Sequence, residues 1–339
     1  MGFSNITKHY KQDLEKVTEF LRNNYDSDIP LVSRIGDHIL NSGGKRIRPL
    51  LLMLSANLCG HEIDDRAIRH CCVVEYVHAA TLLHDDVVDE TTVRRGKETA
   101  NAKWGTDASI LVGDFLISRA ILILANDNDP AIFKAFAEAA KNLVDGGLLE
   151  LTRARDTQVS EEHCLDVIYR KTASIMSLSS RLGSQLSQAG SEMENALASF
   201  GKNFGMAFQL VDDALDYDGT EELLGKPIGT DFKEGHVTLP LLNLYQNGDP
   251  ALKREIEMFV QNEKVTRKDI DYIVERMREN KALEYTLDKA KEFMGKAKED
   301  LSAAPIKSNR HFAMMVELMD YILERYTPSK PSLTPISDY

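Results

Sequence analysis

Three aspartates end an apolar stretch within residues 75–96, EYVHAATLLHDDVVDETTVRRG. Asp85 and Asp89 are four positions apart, so on a helix their side chains project from the same face. Carboxylates beside an apolar wall resist burial unless they are paired with a cation or bind a metal. A hard divalent cation such as Mg²⁺ takes one or two carboxylates and fills its other positions with water and phosphate oxygens. The spacing therefore predicts a Mg²⁺ site, and Arg94 and Arg95 just beyond it suit a phosphate-bearing ligand.

The same spacing returns in QLVDDALDYD, residues 209–218, again after an apolar run. For one isolated DDxxD, an ordinary solvated helix end is the more frequent explanation. Two such helix ends, each after an apolar segment in one proline-poor chain, are harder to explain as solvated surface. The repeat therefore favours a site with two acidic sides, and its six carboxylates are Asp85, Asp86, Asp89, Asp212, Asp213 and Asp216.

The elements that carry these residues are predicted to be helices. Only Pro130 lies between Pro49 and Pro227, apolar residues recur at i, i+3 and i+4, and the alternation typical of strands is almost absent. We expect an all-α fold, a single-domain bundle of long helices over residues 1–326, and a disordered tail over 327–339, which is rich in proline and serine. The predicted helices span residues 5–24, 28–41, 48–59, 64–88, 107–124, 129–154, 160–189, 191–216, 238–246, 250–261, 267–278, 280–301 and 308–326.

The overall composition narrows the function classes. A net charge of −12 at pH 7, without a basic stripe, argues against a nucleic-acid partner. Four cysteines without CxxC spacing or a signal peptide indicate reduced thiols and a cytoplasmic location. No uninterrupted apolar run approaches about 18 residues, so no transmembrane segment is expected.

The two acidic stretches resemble a known pair of motifs. LLHDDVVDETTVRRG and QLVDDALDYDG are similar to the first and second aspartate-rich motifs of the trans-polyprenyl diphosphate synthases, and the resemblance runs from about residue 10 to 325. Within that family the chain looks most like the long-chain, octaprenyl-type enzymes. The resemblance implies an isoprenoid synthase-type fold around a central cavity. It also implies Mg²⁺-dependent, head-to-tail condensation of isopentenyl diphosphate onto an allylic diphosphate such as farnesyl diphosphate, with release of diphosphate.

The resemblance assigns roles to the acidic residues. Asp85, Asp89 and Asp212 would bind Mg²⁺, with three ions present once substrate is bound. The other three, Asp86, Asp213 and Asp216, would support them through other ligands or water. The ions would neutralise the charge that develops on the departing diphosphate.

Further motifs match the two diphosphate sites of the family. NSGGKRIRP, residues 41–49, is similar to the family's GGKRxRP motif, and Gly43-Gly44 free its backbone for a tight turn before a helix. Taken alone, this segment is equally consistent with an ordinary basic loop. Without the resemblance, His78 is more typical of a core histidine and Lys171 of a surface lysine. By the resemblance, isopentenyl diphosphate contacts Lys45, Arg48, His78 and Arg95. The allylic diphosphate contacts Arg94, Lys171, Thr172, Gln209, Lys226 and, at the position of a second lysine, His236.

Two positions depart from the family pattern. An unperturbed imidazole is mostly neutral at pH 7, so His236 makes one cationic contact pH-dependent unless Lys233 replaces it. Gly146-Gly147 stands where relatives tend to carry Gly-Glu, and the sequence suggests no mechanism for this change. Residues 223–242, which contain three glycines, are predicted to form a mobile loop.

Product length is predicted from the side chains that precede Asp85 on its helix. In short-chain relatives a bulky aromatic four or five positions before this aspartate closes the floor of the cavity, whereas Thr81 and Ala80 are small. The resemblance therefore implies a deep cavity and a product longer than about C20, delivered to a membrane and suited to a quinone side chain. Other candidates for the floor are Tyr76, Phe115 and Leu116.

Other interpretations stay open. A shorter-chain geranylgeranyl or farnesylgeranyl diphosphate synthase would share these motifs. A class I terpene cyclase would share the bundle and the first acidic motif, but it usually has an Asn/Ser/Glu motif second and no isopentenyl diphosphate site. A non-catalytic subunit of a heteromeric synthase should have lost site residues, and only His236 favours this alternative. An acidic helical scaffold without chemistry would not need Arg94-Arg95 or Lys171-Thr172. We expect a homodimer from the resemblance and from the wide apolar helices.

Overall fold

The computed structural model describes residues 2–25, 27–40, 44–94, 96–219, 228–262, 265–305 and 309–326. Helices make up nearly all of the regular structure in these ranges, which confirms the predicted all-α class. They are α1 (Gly2–His9), α2 (Lys11–Asn23), α3 (Pro30–Leu40), α4 (Ile47–Leu58), α5 (Asp65–Val88), α6 (Ala100–Trp104), α7 (Thr106–Asp127), α8 (Pro130–Thr152), α9 (Glu161–Ile168), α10 (Ser174–Leu186), α11 (Ser191–Asp218), α12 (Thr230–Glu234), α13 (Leu239–Asn247), α14 (Pro250–Gln261), α15 (Arg267–Glu279), α16 (Ala282–Ala303) and α17 (Arg310–Glu324). The tail predicted to be disordered lies outside the described residues, as do Gly43, Arg95 and Lys226.

Side-chain caps determine where several helices begin. The Asp64 carboxylate accepts a hydrogen bond from the Ala67 amide at 2.8 Å, which satisfies one of the unpaired N–H groups in the first turn of α5. Asp129 caps α8 in the same way and is followed by Pro130, a residue favoured in the first helical turn. Because these signals are readable in a sequence, the bounds of the long helices agree closely with those predicted.

α5 lies at the centre of the bundle. Its residues from Cys71 to Val77 are all buried, and α2, α4, α7 and α10 pack against it. A helix that is buried around its whole circumference belongs in the middle of a helical protein. Cys71 and Cys72 lie in this core as free thiols, as expected. α10 also packs against α11, so the two helices that carry the acidic stretches are anchored in one core.

Two of the predicted helices are interrupted. The predicted helix 5–24 is two helices that meet at Tyr10, whose buried hydroxyl donates to Asn57 Oδ1 at 2.7 Å. The predicted helix 160–189 contains a π-helical turn, Tyr169–Ala173, between α9 and α10. π-helical turns are rare and frequent at functional sites.

Two short elements near the acidic stretches were not predicted. The strands β1 (Val93–Arg94) and β2 (Lys97–Glu98) form an antiparallel hairpin directly after α5. Where the structure describes the segment predicted to be a mobile loop, it contains α12 and the start of α13. Two-residue strands and a five-residue helix are too short to produce a periodic sequence pattern.

α7 is long and apolar enough to cross a membrane by length and composition, which the expectation of no transmembrane segment overlooked. Buried core helices in soluble proteins pass the same test, so the finding is weak evidence. α7 packs along α5 on one side, while Leu111 and Leu122 on its other side are exposed.

Candidate functional site

A cavity of about 540 Å³ lies between the C-terminal parts of α5 and α11. Asp85 and Asp89 line it from α5, and Asp212 and Asp213 line it from α11. The C-terminal end of a helix carries partial negative charge, which adds to the charge of these side chains. The structure therefore brings the two acidic stretches to one cavity with a strong preference for cations.

Asp86 points away from the cavity and connects α5 to the hairpin. Its carboxylate is buried and accepts a hydrogen bond from Arg94 Nε at 2.8 Å. Burial raises the pKa of Asp86, and the charge of Arg94 opposes that rise. Arg94, which also lines the cavity, is thus held at its edge by one of the six acidic residues.

Lys171 is the main cation that faces the first acidic stretch. It lies in the π-helical turn and forms an ion pair with Glu150 of α8. Burial alone would lower the pKa of Lys171, but the charges of Asp85, Glu150 and Asp89 outweigh it, so the pKa is raised. Lys171 is therefore charged and stays among three carboxylates.

Asp89 is another partly buried member of this group. Burial raises its pKa, while the charges of His236 and Lys171 act in the opposite direction. His236 Nε2 lies 3.9 Å from Asp89 Oδ1, and both residues line the cavity. Lys233 is exposed and does not line the described cavity, whereas His236 does, so a compensating contact from Lys233 stays a prediction.

The second acidic stretch is more deeply buried. Gln209 Nε2 donates to Asp213 Oδ1 at 2.9 Å, and Thr172 Oγ1 donates to Gln209 Oε1 at 2.8 Å. Burial raises the pKa of Asp213 strongly, and the neighbouring acids, Asp231 foremost, raise it further. Asp216 is also buried and accepts a hydrogen bond from the Asp231 amide at 3.1 Å.

This donor set fits a hard divalent cation. Its atoms are carboxylate oxygens, and their burial and mutual repulsion are relieved by positive charge. Within the described residues, no group of three or more acidic, histidine or cysteine side chains is arranged to hold an ion by itself. An ion here would therefore take only part of its ligands from the described residues and the rest from water or phosphate, as Mg²⁺ does.

The basic segment before α4 faces the same cavity. Lys45, Arg48 and His78 line it, which places the described members of the predicted isopentenyl diphosphate site near the acidic residues. Arg46 has a left-handed backbone with φ of 47°, pairs with the buried Glu75, and donates to the Leu40 carbonyl at 2.8 Å. Arg46 was predicted as one of the cations of this diphosphate site and Glu75 had no predicted role; their ion pair helps to fix the turn that presents Lys45 and Arg48.

The structure places only part of the predicted floor at this cavity. Thr81 lines the cavity, and its hydroxyl donates to the His78 carbonyl at 2.9 Å. Ala80 and Tyr76 are described and fully buried but do not line it, and the Tyr76 hydroxyl donates to the Leu21 carbonyl of α2 at 3.2 Å. Their faces of α5 turn into the core because successive helical residues point about 100° apart. Phe115 and Leu116 do not line this cavity either, and its apolar wall includes Ile39, Leu40, Leu143, Ile175 and Phe208.

Gly146 has a packing role that the sequence did not reveal. A Cβ atom at this position would lie 2.7 Å from Arg170 Cβ and 3.0 Å from the Lys171 amide nitrogen. Only glycine lets α8 approach the π-helical turn this closely. Gly147 has no described atom within 4 Å of its Cβ position, so packing does not explain it.

Glu150 and Arg325 are among the charged residues of the cavity that the sequence did not reveal. Glu150 lies one helical turn after Gly146 and pairs with Lys171. Arg325 follows α17, far from α11 in sequence, and its Nη1 lies 2.6 Å from Asp212 Oδ1. Glu150 could have been found from the sequence, because it lies four positions after Gly146 and therefore on the same face of the predicted helix. Arg325 could not, because only tertiary packing brings it to Asp212.

Known proteins are similar to this chain in sequence and in fold. Residues 29–277 match the family model described as Polyprenyl synthetase. The octaprenyl diphosphate synthase of Haemophilus influenzae is 38% identical over 90% of this chain and 92% of its own length, and that of Escherichia coli is 36% identical over 90% and 94%. A polyprenyl synthase from Caulobacter crescentus, solved with calcium and isoprenyl diphosphate, superposes with a TM-score of 0.90 at 34% identity, covering 95% of this chain and 97% of that one. The likeness confirms the predicted isoprenoid synthase-type fold.

Proposed function

The chain belongs to the polyprenyl synthetase family and is a prenyltransferase, and on this premise we propose that it is a long-chain trans-polyprenyl diphosphate synthase of the octaprenyl type. It would condense isopentenyl diphosphate repeatedly onto an allylic diphosphate such as farnesyl diphosphate. The observation that carries the proposal is that both acidic stretches and the Lys45, Arg48 and His78 group line one cavity. The octaprenyl diphosphate synthases to which the chain is similar support the long-chain product.

Prenyl diphosphate synthases are generally Mg²⁺-dependent. In our proposal Asp85 and Asp89 hold the metal from one side of the cavity and Asp212 holds it from the other. When bound, Mg²⁺ supplies Lewis-acid neutralisation of the charge on the departing diphosphate. The Caulobacter relative, solved with calcium and isoprenyl diphosphate, supports a divalent cation beside a diphosphate in this fold.

The cationic side chains would orient the two diphosphates. Lys171 and Arg94, both at the acidic side of the cavity, would bind the allylic diphosphate, with Thr172 and Gln209 beside them. Lys45 and Arg48 would bind isopentenyl diphosphate from the opposite basic segment. Two fixed diphosphates bring the reacting carbons together, which replaces a bimolecular encounter by a nearly unimolecular step.

The reaction requires one bond to break, one to form and one proton to leave. The bond between C1 and oxygen of the allylic diphosphate breaks, and its electron pair leaves with diphosphate. The double bond of isopentenyl diphosphate then forms the new carbon–carbon bond, and the released diphosphate would accept the proton that leaves the resulting cation. Leu82, Ile175 and Phe208 contribute to an apolar wall that would keep water from the allylic cation.

Diphosphate release tests the proposal directly. The purified chain, given Mg²⁺, isopentenyl diphosphate and farnesyl diphosphate, should release diphosphate and stop when a chelator is added. Asp85→Asn and Asp212→Asn should each lower the rate by at least about 100-fold, since each removes charge stabilisation of the leaving group. Asp114→Asn, on the exposed side of α7, is the matched control and should leave the rate unchanged. Full activity in Asp85→Asn and Asp212→Asn would contradict the proposal.

The same assay separates the alternatives. Mass spectrometry of the extracted product distinguishes a geranylgeranyl or farnesylgeranyl product from a longer one. A purified chain that is active alone is not a non-catalytic subunit of a heteromeric enzyme. Consumption of isopentenyl diphosphate excludes a terpene cyclase.

We also propose that the chain forms a homodimer in the cytoplasm and delivers its product to a membrane. Exposed apolar side chains on α7 and α8 support the dimer, and the most exposed of them are Leu111, Leu122, Val144, Leu148 and Leu151. Exposed apolar patches of this kind mark protein interfaces. Light scattering should give twice the chain mass, and Leu111→Glu should shift the protein towards a monomer. Cell fractionation tests the location.

A further inference from the structure

Arg325 forms a contact that neither the sequence nor the family resemblance assigned. It directly follows α17, its side chain is only 8% exposed, and it lines the cavity. Its Nη1 lies 2.6 Å from Asp212 Oδ1, and its guanidinium lies over the ring of Phe208, 5.3 Å from the centroid. An arginine from the last helix thus contacts an acidic residue of the proposed metal site.

The contact is electrostatic and leaves hydrogen-bonding capacity unused. Arg325 Nε and Nη1 and Asp212 Oδ1 are buried, and none of them has an aligned hydrogen bond with a described residue. A buried guanidinium is costly unless its charge is compensated, and here Asp212 is its ion-pair partner. The neighbouring Asp213 and Asp216 make this corner of the cavity more favourable for a cation.

We infer that Arg325 is the counter-cation of Asp212 in the metal-free enzyme and must move off this carboxylate before a divalent cation binds there. The inference rests on the proposed function, in which Asp212 is a metal ligand. Because the guanidinium and the metal would both draw on the single negative charge of the Asp212 carboxylate, the two cations compete. Arg325 is therefore a positioning residue that keeps Asp212 paired until metal arrives.

The aromatic ring of Phe208 gives the guanidinium a second contact that does not involve the carboxylate. Stacking of arginine on an aromatic face persists when the ion pair is broken. The guanidinium of Arg325 can therefore leave Asp212 by a short movement along the ring of Phe208. During this movement its charge keeps a favourable aromatic contact and is not left against aliphatic side chains. Lys45 lies over the ring of Tyr321, one turn earlier in α17, so the same helix also contacts the basic side of the cavity.

Direct metal binding tests this inference without relying on activity. Binding of Mn²⁺ to the full, metal-free chain is measured by electron paramagnetic resonance of the free ion, with no substrate present. Arg325→Gln should bind Mn²⁺ about tenfold more tightly than wild type because the competitor is gone. Arg325→Lys keeps the charge and should stay within about threefold of wild type. Arg66→Gln, which removes an arginine ion pair with Asp127 away from the cavity, is the matched control and should not change the affinity.

The rise in the unfolding temperature caused by Mn²⁺ provides a second readout that a merely structural role would not move. Arg325→Gln should unfold at a lower temperature than wild type without Mn²⁺, and saturating Mn²⁺ should raise its midpoint more than it raises that of wild type. An equal rise in both proteins, or unchanged or weaker binding by Arg325→Gln, would overturn the inference. Arg325→Met, which keeps apolar packing on Phe208, gives the same comparison if Arg325→Gln does not fold.

Hydrogen exchange of the wild-type protein removes any dependence on variants. Added Mn²⁺ should speed exchange at the end of α17 and leave the end of α16 unchanged, and no change at α17 would count against displacement. If wild type binds no Mn²⁺ with or without inorganic diphosphate, the proposed function and this inference both fail. If wild type binds Mn²⁺ and Arg325→Gln binds it no more tightly, only this inference fails.

Discussion

Glu150 of α8 forms an ion pair with Lys171 inside the cavity, where Lys171 also faces Asp85 and Asp89. The lysine predicted to bind the allylic diphosphate therefore already has a carboxylate partner within the protein. Substrate binding must move Lys171 from a protein carboxylate to a phosphate oxygen. Glu150 is thus a competitor for the substrate as well as a support for the lysine.

Removing this competitor should strengthen substrate binding. We expect Glu150→Gln to lower the KM for farnesyl diphosphate about three- to tenfold, because the pair is partly buried and worth on the order of 1 kcal/mol. Steady-state kinetics with varied farnesyl diphosphate measures the change. Glu138→Gln, an exposed residue of the same helix that pairs with Arg181, is the control and should have no effect. A higher KM in Glu150→Gln would mean that Glu150 mainly positions the lysine.

Gly146 should be essential for the placement of Lys171. Gly146→Ala puts a methyl group 2.7 Å from Arg170 Cβ and 3.0 Å from the Lys171 backbone, so the π-helical turn must move. We expect a loss of about 1–3 kcal/mol in the free energy of unfolding and a raised KM for the allylic substrate.

Gly147→Ala is the matched control, since its methyl group meets no described atom within 4 Å. It should be neutral or stabilise α8 by about 0.5–1 kcal/mol through the higher helix propensity of alanine. Chemical denaturation and the kinetics of both variants check the pair. Equal effects of the two substitutions would show that the close approach at Gly146 is unimportant.

Much of the fold was predictable because its signals are local. The acidic stretches end long helices whose apolar periodicity, capping residues and prolines are written in neighbouring positions, as Asp129 and Pro130 show at α8. The position of Asp85 and Asp89 on one helical face follows from their spacing. Their meeting with Asp212 across a cavity was expected only from the repeated motif and the family resemblance.

Other features depended on contacts between distant parts of the chain. Tyr76 and Thr81 are on the same helix, but which of them faces the cavity depends on how α5 is rotated between α2 and α11. Arg325 follows a helix that has no acidic motif, and only the packing of α17 brings it to Asp212. Sequence patterns report the faces of a helix but not the neighbour that each face meets.

Metal binding should depend on pH through the buried acids. Burial raises the pKa of Asp89. Burial together with the neighbouring acids raises the pKa of Asp213 well above the ordinary aspartate value. Between the ordinary aspartate value and these raised values, the folded protein holds protons that the unfolded chain has lost. The stability of the metal-free protein therefore falls as pH rises through this window.

A divalent cation binds the deprotonated carboxylates, so the stabilisation that it provides should grow as pH rises. We expect saturating Mg²⁺ to raise the unfolding temperature more at about pH 8 than at about pH 5. Differential scanning fluorimetry with and without Mg²⁺ measures both shifts. Asp89→Asn should reduce the difference between the two pH values, and a shift that is the same at both would contradict the assignment of these acids.

Product length should respond to Thr81 and not to its neighbour Ala80. Thr81 lines the cavity, whereas Ala80 is fully buried in the core on another face of α5. Thr81→Phe should place a ring across the path of the growing chain and shift the products to fewer isoprene units. Ala80→Phe should instead overpack the core, lower the free energy of unfolding by about 1–3 kcal/mol, and leave the product of the folded enzyme unchanged. Chromatography of the dephosphorylated products compares the two, and shortening by Ala80→Phe alone would show that the chain grows along a different face of α5.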